Sequence, residues 1–351
     1  MNPGFWRGRR VLVTGITGFK GAWLALWLKE LGAVVRGYSL APPTSPSLFE
    51  LAKLRAEVDW VEADIRDRVR LVQEVGAWRP EVVFHLAAQS LVRVSYEQPV
   101  ETFETNVMGT VHVLEAVRAS ADARALVVAT SDKCYENREW DWPYRENDQL
   151  GGHDPYSSSK ACAELVAASY VRSMLPASSV AVATVRAGNV IGGGDWARDR
   201  LVPDVVSALV NKRTARIRYP ASVRPWQHVL EPLSGYLLLA ERLVEQRCDP
   251  GEGWNFGPNP DAVQSVATVA DAVCRAWGAG ASWTREETAQ PHEARTLTLD
   301  SSKARMRLGW APRLDYAKGV QWTVEWYKAH AAGADMAAES RNQLRCYKEL
   351  P

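Results

Sequence analysis

A tyrosine and a lysine four residues apart could together move a proton. Tyr156 and Lys160 occupy positions i and i+4 of one predicted helix, so both side chains lie on the same helix face. A positive charge beside the phenol favours phenolate, which would make Tyr156 a usable base near neutral pH. Because a surface helix can carry the same pair by chance, the pair gains its meaning from the rest of the chain.

A glycine-rich turn precedes this pair by about 140 residues. The run 14–21 follows an apolar strand-like segment and opens a helical one. Gly15 would allow the tight turn, Gly18 would let the backbone approach a pyrophosphate, and Gly21 would let helix and strand pack closely. A plain strand–helix turn is the alternative, but its place at the first predicted strand of an alternating chain favours a dinucleotide site. The predicted cofactor-binding residues of this turn are Gly15, Thr17, Gly18, Phe19, Lys20 and Gly21.

The expected dinucleotide is NAD, although one usual ribose contact is missing. An acidic residue is expected at the end of the second strand, and Tyr38 stands there instead. Arg36 nearby would even suit a 2′-phosphate. Asp64 and Ile65, after the third strand, are predicted to lie against the adenine, with an ordinary loop aspartate as an equal alternative for Asp64. Lys160 would hold the nicotinamide ribose.

The elements that must position these residues alternate along the first half of the chain. β-Branched runs predict strands, and amphipathic runs between them predict helices. Such alternation predicts an α/β fold, a Rossmann-type doubly wound parallel sheet with helices on both faces. The predicted strands are 11–14, 34–38, 58–62, 82–86, 126–130 and 180–186, and the predicted helices are 20–31, 66–75, 100–118, 156–174 and 201–211.

The pattern changes after about residue 187, where a loop at 192–195 introduces mixed short strands and helices. We therefore predict an NAD-binding domain over 1–187 with a return near 229–253. A smaller mixed α/β domain, over most of 188–351, would bind the substrate.

Composition excludes several classes of protein. The chain has 42 Lys and Arg against 41 Asp and Glu, which gives no electrostatic reason to expect nucleic acid or an anionic membrane as partner. Five widely spaced cysteines without a CxxC pair predict neither a disulfide framework nor a zinc site, and no metal is expected. No signal-peptide pattern and no membrane-spanning run occurs, so we expect a cytoplasmic protein.

Four strings together resemble the extended short-chain dehydrogenase/reductase superfamily. They are the glycine turn at 14–21, the run 85–90, the run 105–110 and the run 156–160. Nearly the whole chain is covered by this resemblance. It implies a nicotinamide cofactor and a catalytic Tyr156–Lys160 pair.

Longer strings resemble one branch of that superfamily, the CDP-glucose 4,6-dehydratases. They are 18–21, 130–137, 151–156 and 224–232. The resemblance implies CDP-glucose as substrate and a lyase reaction that forms CDP-4-keto-6-deoxyglucose in deoxysugar biosynthesis, including that of lipopolysaccharide O-antigens. It also implies a homodimer or homotetramer, with 100–118 and 156–174 as candidate bundle helices.

The resemblance implies catalytic roles for three residues after the fifth strand. Ser131 would bond the sugar O4, and Asp132 would protonate the departing C6 hydroxyl. Lys133 falls where related dTDP-glucose dehydratases carry a glutamate base for the C5 proton, with a solvated loop lysine as the alternative. Such residues would lie at the carboxyl edge of the sheet, where α/β proteins bind their ligands.

Further residues are implied on the substrate side. Asn189 and Arg224 match family residues at the sugar diphosphate, and a planar guanidinium suits phosphate oxygens. Arg200 would act similarly or be a surface arginine, and His292 begins a stretch typical of the cytidine branch. The run after the fourth strand completes the predicted contacts, with Leu86, Ala87 and Ala88 at the cofactor and Gln89 at the substrate.

Two rival functions use the same scaffold. A sugar-nucleotide 4-epimerase needs Tyr156, Lys160 and the cofactor, but has no need of the acid–base pair Asp132 and Lys133. A non-catalytic NAD-binding protein would not need Tyr156 and Lys160. The residues therefore favour the dehydratase over both rivals.

Overall fold

A computed structural model describes residues 2–175, 180–278, 280–287 and 294–351 of the chain. The strands are β1 Arg10–Thr14, β2 Val34–Ser39, β3 Asp59–Glu62, β4 Val82–His85, β5 Ala125–Ala129, β6 Ala181–Arg186, β7 Asn189–Ile191, β8 Ala215–Ile217, β9 Val223–His228, β10 Gly253–Asn255, β11 Val263–Ser265 and β12 Trp283–Arg285. The α-helices are α1 Pro3–Trp6, α2 Phe19–Glu30, α3 Leu48–Leu51, α4 Arg68–Trp78, α5 Val92–Glu97, α6 Pro99–Phe103, α7 Gly109–Arg118, α8 Pro155–Ser173, α9 Leu201–Val210, α10 Leu230–Val244, α11 Val266–Trp277, α12 Tyr316–Ala331 and α13 Met336–Glu349. Shorter 3₁₀ turns lie at Leu54–Ala56, Asp132–Cys134 and Pro260–Ala262, and π-helical turns at Glu104–Met108 and Ala304–Leu308.

The largest sheet has seven parallel strands in the order β10-β6-β5-β4-β1-β2-β3. The order reverses beside β1, where Thr14 lies opposite Tyr38 on one side and His85 on the other. In such sheets the ligand crevice opens at the carboxyl ends of the strands around this reversal. The predicted Rossmann-type fold is confirmed.

Burial on both faces explains the sequence of the central strands. β4 is buried along its whole length, and the residues of β1 are buried from Val11 onward. Strands covered by helices on both sides need continuous apolar runs instead of alternation. On one face α2 buries every residue from Gly21 to Leu28.

The later part of the chain forms two small sheets and also returns to the large one. A three-stranded sheet has the order β11-β9-β7, and a two-stranded sheet pairs β12 with β8. Helix α10 packs against β5 and β6, and β10 pairs with β6 at the edge of the large sheet. The division into two domains with its boundaries stays a prediction.

The predicted helix over 100–118 is wrong as one continuous element. It consists of α6, the π-helical turn Glu104–Met108 and α7. Within the π turn, Asn106 turns its side chain to Gln89 and Ser159, and its carbonyl oxygen accepts from the hydroxyl of Thr110 over 2.7 Å. These contacts lie within the π turn, and such turns are found frequently at functional sites.

No helix within the described ranges is long and apolar enough to cross a membrane. In the same ranges, no cluster of three or more His, Cys, Asp and Glu residues could hold a metal ion.

Candidate active site

The glycine turn joins β1 to α2 and presents backbone without side chains. Gly15 has a φ of 70°, and a Cβ there would lie 2.7 Å from the backbone nitrogen of Ala87. A Cβ on Gly21 would lie 2.1 Å from the carbonyl oxygen of Gly15. Gly18 is the N-cap of α2 and has no side chain with which to occupy the first N–H groups of the helix. The turn therefore has the shape and the donors that a pyrophosphate requires.

The end of β2 offers no carboxylate for a ribose. Tyr38 is fully buried, and its hydroxyl donates to the carbonyl oxygen of Asp64 over 3.1 Å. The hydroxyl of Thr17 lies 3.1 Å from that of Ser39 and 2.9 Å from the carbonyl oxygen of Leu40. Tyr38 is thus a core residue, and Thr17 ties the glycine turn to the strand end.

Arg36 does not provide a site for a 2′-phosphate. Its guanidinium donates to Asp59 over 2.7 Å and to Glu74 over 3.1 Å, and it lies 5.3 Å from the ring centroid of Trp78. Two carboxylates already compensate its charge, so the reason for expecting a 2′-phosphate is removed.

The predicted adenine contacts lie beside β3. Asp64 accepts the backbone N–H of Arg66 over 2.8 Å and its guanidinium over 2.7 Å. The guanidinium of Arg66 holds the pKa of Asp64 below its usual value. Ile65 is buried and lies so close to Gly109 that a Cβ there would be 2.9 Å from it. Contact of either residue with adenine stays a prediction.

The end of β4 is fastened to the start of the glycine turn. The backbone N–H groups of Leu86 and Ala87 both donate to the hydroxyl of Thr14 over 3.2 Å. The ring of His85 lies between the hydroxyls of Thr14, at 2.8 Å, and Thr110, at 3.2 Å. Burial lowers the pKa of His85 to about 3, so this ring is neutral and belongs to the structural core.

Ala88 and Gln89, which were predicted at the cofactor and at the substrate, come directly after Ala87. Ala88 is half-buried. The amide nitrogen of Gln89 donates to the carbonyl oxygen of Leu91 over 3.1 Å and to Thr102 over 3.0 Å, and its amide oxygen accepts the N–H of Leu91 over 2.6 Å. Because the amide is bonded within the protein, Gln89 shapes this loop, and its contact with substrate stays a prediction.

Helix α8 positions Tyr156 in its first turn. Asp154 caps the helix by accepting the backbone N–H of Ser157 over 2.9 Å and its hydroxyl over 2.6 Å. The hydroxyl of Ser95 accepts the backbone N–H of Tyr156 over 3.1 Å. These bonds fix the direction in which the phenol leaves the helix.

Burial sets the protonation of both Tyr156 and Lys160. It raises the pKa of Tyr156 to about 12, and a hydrogen bond with Ser131 opposes that rise. The ammonium of Lys160 donates to the carbonyl oxygen of Ala129 over 3.1 Å. Burial, and then the charge of Lys20, lower the pKa of Lys160 to about 8. The phenol is therefore protonated at neutral pH, and its activation needs an additional positive charge beside it, as a bound oxidised nicotinamide would bring.

The segment after β5 carries a buried acid with one unpartnered oxygen. Ser131 donates to Oδ1 of Asp132 over 2.9 Å and accepts the backbone N–H of Lys133 over 3.2 Å. Asp132 is 3% exposed, and its Oδ2 has no hydrogen-bond partner within the described part of the chain. Burial raises the pKa of Asp132, while the charges of Lys133, Arg224 and Lys20 limit the rise. A buried acceptor without a partner is a natural position for a hydroxyl group of a ligand.

Two lysines flank this acid. Lys133 is half-buried in the 3₁₀ turn that follows. Burial, and then the charge of Arg200, lower the pKa of Lys20 to about 8, while Asp132 and Asp195 oppose that shift. Lys20 was predicted at the cofactor, and these charges indicate that it also lies near Asp132.

The predicted diphosphate residues lie on the later elements. Arg224 on β9 is buried, and its guanidinium donates to the carbonyl oxygens of Val223, Ala294 and Arg295. Its charge acts on Asp132, so it lies near the segment that follows β5. We infer that Arg224 faces the same crevice as Asp132.

The remaining substrate-side residues differ in their surroundings. Arg200 donates to Asp195 over 2.8 Å and to the hydroxyl of Ser90 over 3.1 Å, and its charge opposes the rise in the pKa of Tyr156. Asn189 begins β7 and is half-buried. His292 lies outside the described residues.

Sequence reasoning missed a buried ion pair between Glu164 and Arg186 beneath the site. Glu164 stands four residues after Lys160, on the same helix face, and that spacing was the only local signal for it. Its partner lies 22 residues further along, on β6, so spacing gave no hint of the pair.

The chain matches the family model described as GDP-mannose 4,6 dehydratase over residues 12–323. Since this match covers most of the chain, the chain belongs to that family of NDP-sugar 4,6-dehydratases.

Within the family, the chain is similar to CDP-glucose 4,6-dehydratase of Salmonella typhimurium strain LT2. The two are 51% identical over 352 residues, which cover 99% of this chain and 98% of the relative. The dTDP-glucose 4,6-dehydratase of Streptomyces antibioticus is 29% identical over 92% of this chain and 93% of its own length. The UDP-glucose 4-epimerase of Thermus thermophilus, solved in complex with NAD, superposes with a TM-score of 0.78 at 25% identity, over 91% of this chain and 99% of that one. The resemblance predicted from the motif strings is confirmed.

Proposed function

We propose that this chain dehydrates CDP-glucose to CDP-4-keto-6-deoxyglucose with bound NAD. The support from similarity is the relative at 51% identity, which is named for this activity. The observation that carries the proposal within the site is the buried Oδ2 of Asp132, which lies beside Tyr156 and has no hydrogen-bond partner among the described residues. An acid in that position is needed to remove a hydroxyl group and is not needed to invert C4.

The chain offers groups for the pyrophosphate and for the nicotinamide ribose of NAD. Gly15 and Gly21 leave room for the pyrophosphate, and the N-terminus of α2 supplies donors for it. Lys160 would hold the nicotinamide ribose. When bound, NAD supplies a hydride acceptor that takes hydrogen from C4 and returns it to C6.

Oxidation at C4 requires removal of the hydroxyl proton. Tyr156 takes this proton once a positive charge beside it favours phenolate. Ser131, whose hydroxyl acts on the pKa of the phenol, would hold the sugar O4 beside it. The C4 carbon becomes a ketone, and the adjacent C5 hydrogen becomes acidic because its anion delocalises into the carbonyl.

Elimination of water then requires an acid and a base. Asp132 gives a proton to the C6 hydroxyl through Oδ2, and burial favours its protonated form. Lys133, the next residue, takes the C5 proton. The C6 hydroxyl leaves as water with the proton from Asp132, so that a C5–C6 double bond forms. When C6 is then reduced, Lys133 returns a proton to C5, and the proton that Tyr156 took from O4 balances the one that Asp132 lost with the water.

Binding of the nucleotide would rest on buried cationic groups. The charge of Arg224 acts on Asp132, and a guanidinium suits phosphate oxygens. Asn189 would add a neutral donor at the same diphosphate. Arg200 is paired with Asp195, so its contribution to phosphate binding would be smaller.

A substrate comparison tests this function. The purified chain is incubated with NAD and, in separate reactions, CDP-glucose, dTDP-glucose, UDP-glucose or GDP-mannose. We expect a 4-keto product smaller by one water, formed fastest from CDP-glucose and identified by mass and NMR. A 4-epimerised sugar of unchanged mass would contradict the dehydratase, and faster turnover of another nucleotide would contradict the base preference.

We further propose that the chain forms a homodimer through the helices around α8. Val100 of α6, Met108 of the π turn and Leu165 of α8 are 69%, 47% and 59% exposed, and these elements pack side by side. Exposed apolar groups on adjoining helices favour burial against a second copy. Light scattering after size-exclusion chromatography should give twice the protomer mass, and Leu165→Glu should lower it. A monomeric parent would contradict the dimer, and four protomers would indicate the tetramer. A cytoplasmic location stays a prediction.

A further inference from the structure

Both ends of the catalytic segment 131–134 are fastened to one buried ion pair. Thr130, the residue before Ser131, donates from its hydroxyl to the carboxylate of Glu164. Tyr135, the residue after the segment, accepts from the guanidinium of Arg186 over 2.7 Å. Glu164 belongs to α8 and Arg186 ends β6, so the pair joins these two elements to the catalytic segment.

The carboxylate of Glu164 is filled by donors. Oε1 accepts from Thr130 and from Nε of Arg186 over 2.8 Å. Oε2 accepts from Thr184 over 2.5 Å and from the terminal nitrogen of Arg186 over 2.8 Å. The side chains of both charged residues are only 4% exposed. Fully bonded, bidentate and buried, the pair has one defined geometry.

The guanidinium continues the connection beyond the pair. Its third nitrogen also donates to the carbonyl oxygen of Glu146 over 3.0 Å. The hydroxyl of Tyr135 in turn donates to Oδ1 of Asn255, at the end of β10, over 2.8 Å. The segment is thus held between the catalytic helix and two neighbouring strands.

We propose that the Glu164–Arg186 pair is a positioning device that sets the catalytic segment against Tyr156 and Lys160. Glu164 lies one helical turn beyond Lys160 and two beyond Tyr156, so a rigid helix links it to both. A buried ion pair gives little stability compared with apolar residues of the same size. Its value at this place is the fixed distance from the helix to Ser131 and Asp132. The inference rests on the proposed dehydratase function.

Two isosteric substitutions separate positioning from stability. Thr130→Val and Thr184→Val each remove one hydroxyl donor from the same carboxylate, but only Thr130 leads into the catalytic segment. We expect Thr130→Val to lower kcat about tenfold or more while KM stays within about twofold, because small misplacements of reacting groups cost up to about 10²-fold. The matched control Thr184→Val should keep kcat within about twofold at a similar loss of thermal midpoint.

A double substitution tests the pair as a whole. Glu164→Leu with Arg186→Met removes both charges together and leaves no unpaired ion, so the fold should be retained. We expect kcat to fall by about 10²-fold. Parent kcat in this variant, or an equal loss of kcat in Thr184→Val and Thr130→Val, would overturn the proposal.

Hydrogen exchange gives a readout independent of substrate. The backbone N–H groups of 131–134 should exchange faster in Thr130→Val than in Thr184→Val or the parent. Equal exchange in both variants would also overturn the proposal. The parent assay on CDP-glucose separately tests the proposed function, and the variants are compared on whichever nucleotide sugar the parent converts.

Discussion

Two buried carboxylates in one site, Asp132 and Glu164, have opposite surroundings. Asp132 has one bonded oxygen and one without a partner among the described residues, and burial raises its pKa. Burial would also raise the pKa of Glu164, but Arg186 and two hydroxyl donors outweigh it and hold that pKa below its usual value. Depth of burial is nearly the same in both cases, so the partners decide the role. The unpartnered acid remains available for proton transfer, and the fully bonded one is fixed as structure.

The largest effect should come from removing the available proton. Asp132→Asn keeps the shape of the side chain but cannot act as a carboxylic acid. We expect turnover to fall by about 10²–10⁴-fold, the range of general acid catalysis. Because C4 oxidation does not use this acid, reduced cofactor should accumulate, visible by nicotinamide absorbance. Normal release of 4-keto product would assign the acid to another residue.

The next effect concerns the fixed carboxylate. Glu164→Gln leaves Arg186 buried without a counter-charge, which costs about 3–5 kcal/mol of unfolding free energy. Urea unfolding monitored by circular dichroism measures this loss, and Asp132→Asn is the matched control, since it should lose none. If Glu164→Gln and Asp132→Asn both unfold at the parent's urea midpoint, the different surroundings of the two carboxylates do not affect the stability of the protein.

A smaller effect is expected at the cation that neighbours Asp132. Arg224→Ala removes a charge-assisted contact to the diphosphate, worth about 1.5–3 kcal/mol. KM for the nucleotide sugar should rise roughly tenfold to a hundredfold while kcat changes less. An unchanged KM with a collapsed kcat would place Arg224 in the chemical step.

The smallest effect is expected in the pH dependence of the free energy of unfolding, which should differ in sign between Asp132→Asn and Glu164→Gln. The raised pKa of Asp132 means that its ionised form destabilises the fold, so Asp132→Asn should stabilise at neutral pH, and this advantage should be gone once pH has fallen to about 4. The lowered pKa of Glu164 means that its ionised form stabilises the fold above about pH 4.3, and that contribution is lost on acidification. Unfolding free energies at pH 7 should therefore move in opposite directions for the two amides. Shifts of the same sign would contradict the assigned protonation states.

Part of the fold and of the site could be predicted from the sequence, because it depends on residues that are close together in the chain. The glycine turn and the Tyr156–Lys160 pair depend on neighbours within one turn, and strands β1 to β6 fall within two residues of their predicted bounds. The sequence showed that Tyr38 stands where an acidic residue is expected. Its hydrogen bond to the carbonyl oxygen of Asp64 depends on the packing of β2 beside β3, which local spacing does not predict.

Other features of the site could not be predicted, because they depend on contacts between residues far apart in the sequence. Glu164 and Arg186 come together only because α8 packs beside β6, and the unpartnered oxygen of Asp132 follows from everything that surrounds it. The π turn is similar, since it depends on contacts of Asn106 with Gln89 and Ser159 at distant positions in the chain. None of these features has a periodic signature.

The position of the edge strand β10 in the sequence limits when the large sheet can be completed during synthesis on a ribosome. It comes from residues 253–255, yet it completes a sheet that begins at residue 10, and its Asn255 holds Tyr135. A nascent chain cannot close that sheet until these residues have left the exit tunnel. Until then β6 remains an open edge, able to pair with strands of other nascent chains. Splitting the gene between β6 and β10 would therefore place β10 on a different polypeptide from the other strands of its sheet.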